Sequence, residues 1–263
     1  MEIKFRTKLK YVCFMLFKIG LVYHTSGQSI SYTYDNLNRL TQIQYSNGSK
    51  ISYIYDASGN RLQQKTSFTS VMLPYTVKCQ IQGYYSGGAN MSPVLLNQGV
   101  SGASSNITDS IRVELRRTTT PYAVYATYKG VIQTNGIIQC SFPTALGDNM
   151  YYIVLKHRNG IETWSSQPQL LQENSFYDFT TSASQAYGSN QVKVEPGVFA
   201  IYSGDINQDE NIDLLDQSIL DFDIETFQFG YQNSDLNGDG NVDLLDQPTL
   251  EVNSSNFIFS QHP

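Results

Sequence analysis

The chain has 263 residues, which is enough for one large domain or for two or three small ones. Tyrosine is frequent, with 19 residues, and only 15% of the residues are charged; this composition favours a folded, β-rich body over a disordered tail. The formal net charge of −6 disfavours nucleic-acid binding, because phosphate contacts need basic side chains.

The first 27 residues are organised like a secretory signal peptide. Four basic side chains in MEIKFRTKLK precede an apolar stretch at 11–17, and small residues precede a cleavage site near Gly27. Lys18 interrupts the apolar stretch, whereas a membrane span needs about 20 predominantly apolar residues. We therefore expect no membrane span and a bacterial protein that is secreted or held at the cell surface. The alternative is a misassigned start or a cytoplasmic basic arm.

Residues 28–68 contain one pattern twice. Tyr34-Asp35 is followed by Asn-Arg-Leu at 38–40, and Tyr55-Asp56 is followed by Asn-Arg-Leu at 60–62. A period of about 21 residues indicates stacked units, each a short pair of strands. These residues resemble the YD repeat of rearrangement-hot-spot (RHS) proteins, whose long arrays form a β-shell. Two copies cannot enclose anything, so we interpret them as a remnant or as a small sheet that packs on the next domain.

Residues 76–168 alternate apolar and polar side chains between Gly, Asn, Ser and Pro turns, a pattern typical of strands. The spacing places Ile111, Val113 and Leu115 on one face, and the apolar run 150–155 predicts a strand buried on both sides. Asn135-Gly136 predicts a β-hairpin. We therefore predict an antiparallel β-sandwich.

Two cysteines, Cys79 and Cys140, follow this alternation and should point to the apolar face. Buried free thiols and a single disulfide both remain open, because the sequence does not give their separation. Residues 169–203 begin as a polar, Ser-rich connection and continue as two short strands at 191–194 and 197–201. This segment either completes the sandwich or forms a hinge.

The C-terminal segment 201–263 contains 13 carboxylate side chains and no Lys or Arg, so the negative charge of the chain is concentrated there. Two stretches of twelve residues, 205–216 and 235–246, repeat one order of oxygen-bearing side chains after thirty residues. These are the candidate metal ligands: Asp205, Asn207, Asp209, Asn211, Asp213 and Asp216 in the first loop, and Asp235, Asn237, Asp239, Asn241, Asp243 and Asp246 in the second. Oxygen ligands at this spacing suit Ca²⁺, so we predict two calcium ions.

Sequence differences between the loops predict that the first site is the weaker. Glu210 stands at position 6, where the loop needs a positive φ angle, and Gly240 stands there in the second loop. A non-glycine residue in that conformation costs on the order of 1 kcal/mol. Ile212 and Val242, at position 8, are expected to pair the two loops across a short β-bridge.

The segments that flank the loops distinguish this pair from calmodulin-type sites. Helical patterns leave each loop at 214–222 and 244–252, but no helical pattern enters either loop. Residues 204–263 therefore resemble a type I dockerin module. The resemblance implies a cohesin-type partner domain, contacted through residues at positions 10 and 11 of each loop: Leu214, Leu215, Leu244 and Leu245. The alternative is that these leucines form the small core of the module.

Catalytic residues are not evident. His157 and His262 are the only histidines after residue 27, and His262 falls in an end that we expect to be frayed. Glu114, Asp148 and Glu162 have no spacing that indicates paired catalytic carboxylates.

We expect a mainly β, non-catalytic protein: an antiparallel sandwich with a small α module of paired calcium loops at its C-terminus. Its function would be protein attachment, associated with extracellular polysaccharide degradation through the dockerin resemblance. The alternatives are a carbohydrate-binding module, in which Trp164 and exposed tyrosines stack on sugar rings, and a glycoside hydrolase.

Overall fold

The computed structural model describes residues 30–45, 48–67 and 71–263. The predicted signal peptide, residues 1–27, lies outside the described residues. The chain divides into two compact units, Met1–Thr69 and Ser70–Pro263, which are described separately below. No helix within the described ranges is long and apolar enough to cross a membrane.

The first unit is one antiparallel sheet of four strands in chain order: β1 (Ile30–Tyr34), β2 (Leu40–Tyr45), β3 (Lys50–Tyr55) and β4 (Arg61–Ser67). Each copy of the repeated pattern spans one hairpin, because 34–40 joins β1 to β2 and 55–62 joins β3 to β4. The repeat unit is therefore a strand pair, as the 21-residue period predicts.

The aspartate of each repeat organises its turn. The Asp35 carboxylate accepts hydrogen bonds from the main-chain N–H groups of Leu37 and Arg39, both at 2.9 Å. The Asp56 carboxylate accepts the N–H of Asn60 at 2.8 Å. Arg39 also donates from Nη1 to the carbonyl oxygen of Asp56 at 2.9 Å, which links the two turns. The repeated Tyr-Asp pattern thus corresponds to a turn that is capped by its aspartate side chain.

The second unit contains the remaining elements. Its strands are β5 (Met72–Lys78), β6 (Tyr85–Gly87), β7 (Asn90–Met91), β8 (Ile107–Arg116), β9 (Val124–Gln133), β10 (Ile137–Pro143), β11 (Met150–His157), β12 (Gly160–Trp164), β13 (Gln169–Leu170), β14 (Ser175–Asp178), β15 (Val192–Glu195) and β16 (Val198–Ala200). Its helices are α1 (Val94–Asn97), α2 (Leu214–Glu225) and α3 (Gln247–Ser255).

Two sheets of this unit enclose its main core. One has the order β10-β5-β14, and the other has the order β12-β11-β8-β9 with β13 paired to β11. Ile111, Val113 and Leu115 are buried between them, and residues 151–155 are buried while Met150 is exposed. The structure is therefore mainly β, as the alternating pattern predicts, and its strands pair antiparallel around a shared core except for β14, which pairs parallel with β5.

The Asn135-Gly136 turn forms, but it does not close a two-stranded hairpin. Gly136 has φ +83° and donates its N–H to the carbonyl oxygen of Gln133 at 2.8 Å. Strand β9 pairs with β8, whereas β10 pairs with β5. The hairpin prediction was wrong because the turn passes the chain from one sheet to the other.

Later residues also contribute to the sandwich. Strand β14 runs parallel to β5, and Leu171 and Phe179 are fully buried in the main core.

Cys79 and Cys140 are both buried free thiols, and burial raises the pKa of Cys140 to about 12. A thiol with so high a pKa is rarely ionised, and because the thiolate is the reactive form, such a thiol is a poor nucleophile and a poor metal ligand.

Candidate metal centre

The two acidic loops have the same internal architecture. In the first loop, Asp216 Oδ1 accepts the main-chain N–H groups of Ile206 and Asn207 at 2.7 and 3.0 Å. In the second, Asp246 Oδ1 accepts the corresponding groups of Leu236 and Asn237 at 2.7 and 2.9 Å. The position-12 carboxylate therefore closes each loop back onto its start.

The side chains at positions 3 and 5 make equivalent hydrogen bonds in the two loops. Each accepts the main-chain N–H of the residue two positions later, at 2.8–3.0 Å; the acceptors are Asn207, Asp209, Asn237 and Asp239. At position 9, Asp213 and Asp243 accept the N–H groups of Leu215 and Leu245, and Asp213 is the N-cap of α2. Side-chain oxygens thus organise both loops around short main-chain turns.

Position 6 has a positive φ angle in both loops, as predicted. Glu210 has φ +74° and Gly240 has φ +95°. Position 4 shows the same asymmetry, with Gln208 at φ +63° and Gly238 at φ +75°. The first loop therefore holds two side-chain-bearing residues in a conformation that favours glycine, and the second loop holds none there.

This asymmetry predicts that introducing a glycine at position 6 of the first loop and removing the glycine at position 6 of the second have opposite effects on the free energy of unfolding. Glu210→Gly should raise the free energy of unfolding by up to about 1 kcal/mol because it removes left-handed strain. Gly240→Ala should lower it by at least about 1 kcal/mol, since it introduces that strain and its Cβ would lie 2.8 Å from the carbonyl oxygen of Asn97. Denaturant unfolding of both variants beside the parent chain measures the difference. Equal changes of the same sign would contradict this explanation.

The carboxylates at positions 1 and 12 of both loops are withdrawn from water. Burial raises the pKa of Asp205 to about 7, and the carboxylates of Asp216 and Asp209 contribute to the rise. Burial also raises the pKa of Asp246 to about 6, and it raises the pKa values of Asp216 and Asp235. A nearby cation would offset the cost of keeping these groups ionised.

The donors available to a cation are mixed. No group of three or more His, Cys, Asp and Glu side chains is arranged to hold a metal ion by itself within the part of the chain that the structure describes. Each loop instead combines Asp carboxylates with Asn amide oxygens and main-chain carbonyls. An all-oxygen set of this kind fits Ca²⁺ and does not fit a soft metal ion.

The predicted β-bridge between Ile212 and Val242 is wrong. Asn211 of the first loop pairs with Phe259 after α3, and Asn241 of the second loop pairs with Phe229 after α2. The N–H of Ile212 therefore bonds the carbonyl of Ile258 at 2.9 Å, and that of Val242 bonds the carbonyl of Gln228 at 3.1 Å. Each loop is paired with the segment that follows the other loop's helix. Both position-8 side chains are instead buried in one small core with Ile161 of β12.

The four candidate contact leucines lie on the surface. Leu214, Leu215, Leu244 and Leu245 expose 60–76% of their area, so the alternative that they form the module core is wrong. Four phenylalanines that the sequence interpretation missed are exposed as well: Phe227, Phe229, Phe257 and Phe259. Their 30-residue spacing, the same as that of the loops, was the available signal. A groove of about 770 Å³ lies between Leu214, Leu215, Phe257 and Phe259.

A buried polar network joins the sandwich to the second loop. Asp109, fully buried on β8, accepts hydrogen bonds from His157 Nε2 at 3.1 Å and from Arg158 Nε at 2.9 Å. Burial opposes ionisation of Asp109, but the His157 and Arg158 interactions outweigh it and lower its pKa. Arg158 also donates to Gln98, which in turn donates to the Asp235 carboxylate. Sequence interpretation missed this network because its members are far apart along the chain.

The C-terminal segment is held in place, so the prediction of a frayed end at His262 was wrong. Gln261 forms a bridge with Thr163 of β12, and Ser260 Oγ donates to the carbonyl of Glu162 at 2.9 Å. The Ser260 N–H also bonds the carbonyl oxygen of Glu210 at 2.8 Å. The chain end therefore connects the sandwich with the first loop.

The residues considered for other functions have structural contacts. Trp164 is only 2% exposed and donates to Glu162, so its ring cannot stack on a sugar. Glu114 and Glu162 are both buried and both contact Arg116, at 2.7 and 3.4 Å. Both glutamates therefore have an ion-pair partner within the fold.

Comparison with known proteins gives limited matches. The RHS Repeat family model matches residues 22–50, which confirms the YD-repeat interpretation for the first copy. Two solved structures of mutant type II cohesin–X-dockerin complexes from Acetivibrio cellulolyticus are similar with TM-scores of 0.41, at 13% and 15% identity. Each match covers 70% of this chain and 99% of the other chain, but at these scores the similarity decides neither fold nor function. No curated protein matches this chain.

Proposed function

We propose that this protein is a secreted or cell-surface attachment protein whose residues 204–263 form a dockerin-like module. The module holds two calcium ions in the loops 205–216 and 235–246, and it docks a cohesin-type domain through exposed leucines. The protein itself is non-catalytic, and its association with polysaccharide degradation comes through the proteins that it joins.

The duplicated loops carry this proposal. Two twelve-residue segments share one hydrogen-bond pattern, and each places two exposed leucines at positions 10 and 11, between its last two aspartates. The leucines are large apolar side chains left in solvent on a module whose core is already filled by other residues. Apolar groups presented in this way are typical of an interaction surface.

Calcium and partner binding are linked in this arrangement. Asp213 and Asp216 belong to the first loop and also cap the first turn of α2, which carries Leu214 and Leu215. An ion that orders the loop therefore also orders the start of the helix and the two leucines.

The proposal is tested by binding the intact chain to a panel of immobilised cohesin domains in calcium and in excess chelator. We expect saturable binding to at least one cohesin in calcium and no binding in chelator. Equal binding in both conditions would contradict the calcium-dependent surface, and no binding to any cohesin would contradict the choice of partner. A pull-down with insoluble polysaccharide tests the alternative of a carbohydrate-binding module, in which exposed tyrosines such as Tyr125 would contact the sugar rings.

A further inference from the structure

Arg158 lies at the junction between the sandwich and the second loop, and its side chain is only 9% exposed. Its guanidinium donates to Asp109 at 2.9 Å, to the hydroxyl oxygen of Tyr84 at 2.6 Å and to Gln98 Oε1 at 3.2 Å. It also donates to the main-chain carbonyl of Gln232, shortly before the second loop. The buried Asp109 carboxylate compensates the arginine charge, so the guanidinium is held in one orientation.

This arrangement dictates how Gln98 is oriented. A guanidinium has only donors, so Gln98 must present its amide oxygen to Arg158. Its amide nitrogen then faces Asp235 and donates to Oδ2 of that carboxylate. The other contacts of the carboxylate come from its own loop: Gly238 donates to Oδ1 at 2.8 Å and Gly240 donates to Oδ2 at 2.9 Å.

The first loop has a different environment. Main-chain N–H groups of its own loop donate to the Asp205 carboxylate, among them that of Asp209 at 3.1 Å, and no sandwich side chain among the described residues donates to it. A sandwich side chain therefore orients the position-1 carboxylate of the second loop, and the position-1 carboxylate of the first loop is held from within its own loop.

We propose that Gln98 and Arg158 are positioning residues for the second calcium site, an inference that rests on the calcium-binding function proposed above. The sandwich orients Asp235 before the ion arrives, so the affinity of the second loop depends on residues 77 to 137 positions away in sequence. Neighbours that orient a ligand in this way typically change metal affinity by about 10-fold to 100-fold when removed.

The test uses the full chain with one loop disabled at a time, and it measures calcium affinity by calorimetry. With Asp205→Ala, only the second site remains, and Gln98→Met should raise its dissociation constant by about 10-fold or more. With Asp235→Ala, only the first site remains, and Gln98→Met should leave its dissociation constant unchanged. Arg158→Lys, which keeps the charge but loses the planar fork, should reproduce the selective effect on the second site.

Gln80→Met is the matched control, because Gln80 is a buried glutamine of the same sandwich whose amide bonds the carbonyl of Ala89 at 2.9 Å. It should change neither site. An equal loss at both sites on Gln98→Met would indicate general destabilisation and overturn the inference, as would no loss at either site. If the parent chain binds no calcium, the proposed function fails with it; if the parent binds two ions and Gln98→Met is silent, the inference alone fails.

Discussion

Removing calcium from the intact chain should unfold α2 and α3 and lower the thermal unfolding midpoint. Residues 201–263 contain 13 carboxylates and no Lys or Arg, and the carboxylates at positions 1 and 12 of each loop are buried. A ligand that binds only the folded state stabilises it by about 2.7 kcal/mol per site when present at 100 times its dissociation constant. Two sites would therefore contribute about 5 kcal/mol under those conditions. Circular dichroism during a chelator titration, followed by thermal melts, measures both effects.

Substitution of the position-12 residues should reproduce the effect of the chelator. The double variant Asp216→Ala and Asp246→Ala removes the carboxylates that close both loops. The matched control is Asp221→Ala, because Asp221 is an exposed acid on α2 that bonds Gln217 and Gln247 and belongs to neither loop. We expect the control to respond to calcium like the parent. Helical signal and melting temperature that stay unchanged on chelation would contradict coupled folding and binding.

Removal of the exposed leucines should abolish capture of a cohesin domain while leaving the fold intact. Each leucine buried in an interface contributes about 1.5–3 kcal/mol of hydrophobic free energy. Substitution of Leu214, Leu215, Leu244 and Leu245 by Ala should therefore weaken partner binding by at least about 100-fold. The side chains are exposed, so the free energy of unfolding should stay within about 0.5 kcal/mol of the parent value.

The duplication gives this experiment an internal comparison. Ala substitution of either leucine pair alone should leave substantial binding, because the duplicated loop presents an equivalent leucine pair that could dock the same partner in a second orientation. Leu96→Ala is the control, since Leu96 is an exposed leucine beside the sandwich and outside the module. A four-alanine variant that binds the partner as tightly as the parent would show that the leucines are not the contact surface.

The loops were the part of the structure most accessible from sequence. Their hydrogen bonds join residues within twelve positions, so a local pattern contains the information that shapes them. The positive φ angle at Glu210 and the helix that begins at Leu214 follow from the same local constraints. The helix after the second loop begins at Gln247 and not at Leu244, with Pro248 in its first turn.

The sheet connections were less accessible because they depend on distant partners. The Asn135-Gly136 turn is a local feature, but the separation of β9 and β10 into different sheets is set by Ile132 and Ile138 entering a core built from the whole sandwich. Likewise, the pairing of Asn211 with Phe259 depends on how two thirty-residue repeats pack, and neither repeat alone specifies it.

The junction between sandwich and module was not predictable from local patterns. Gln98 and Asp235 lie 137 positions apart, and each has an ordinary sequence environment. The sequence shows His157 as one of two histidines after residue 27, but only the structure shows that it contacts buried Asp109. Long-range polar contacts of this kind leave no periodic signal in a single sequence.

Calorimetric titration of the intact chain with calcium tests the central claim most directly. We predict two binding events, the weaker at the first loop, where Glu210 holds a positive φ angle, and we expect Glu210→Gly to tighten that event. The absence of any binding at millimolar calcium would contradict the account and would leave the repeated acidic loops without their proposed role.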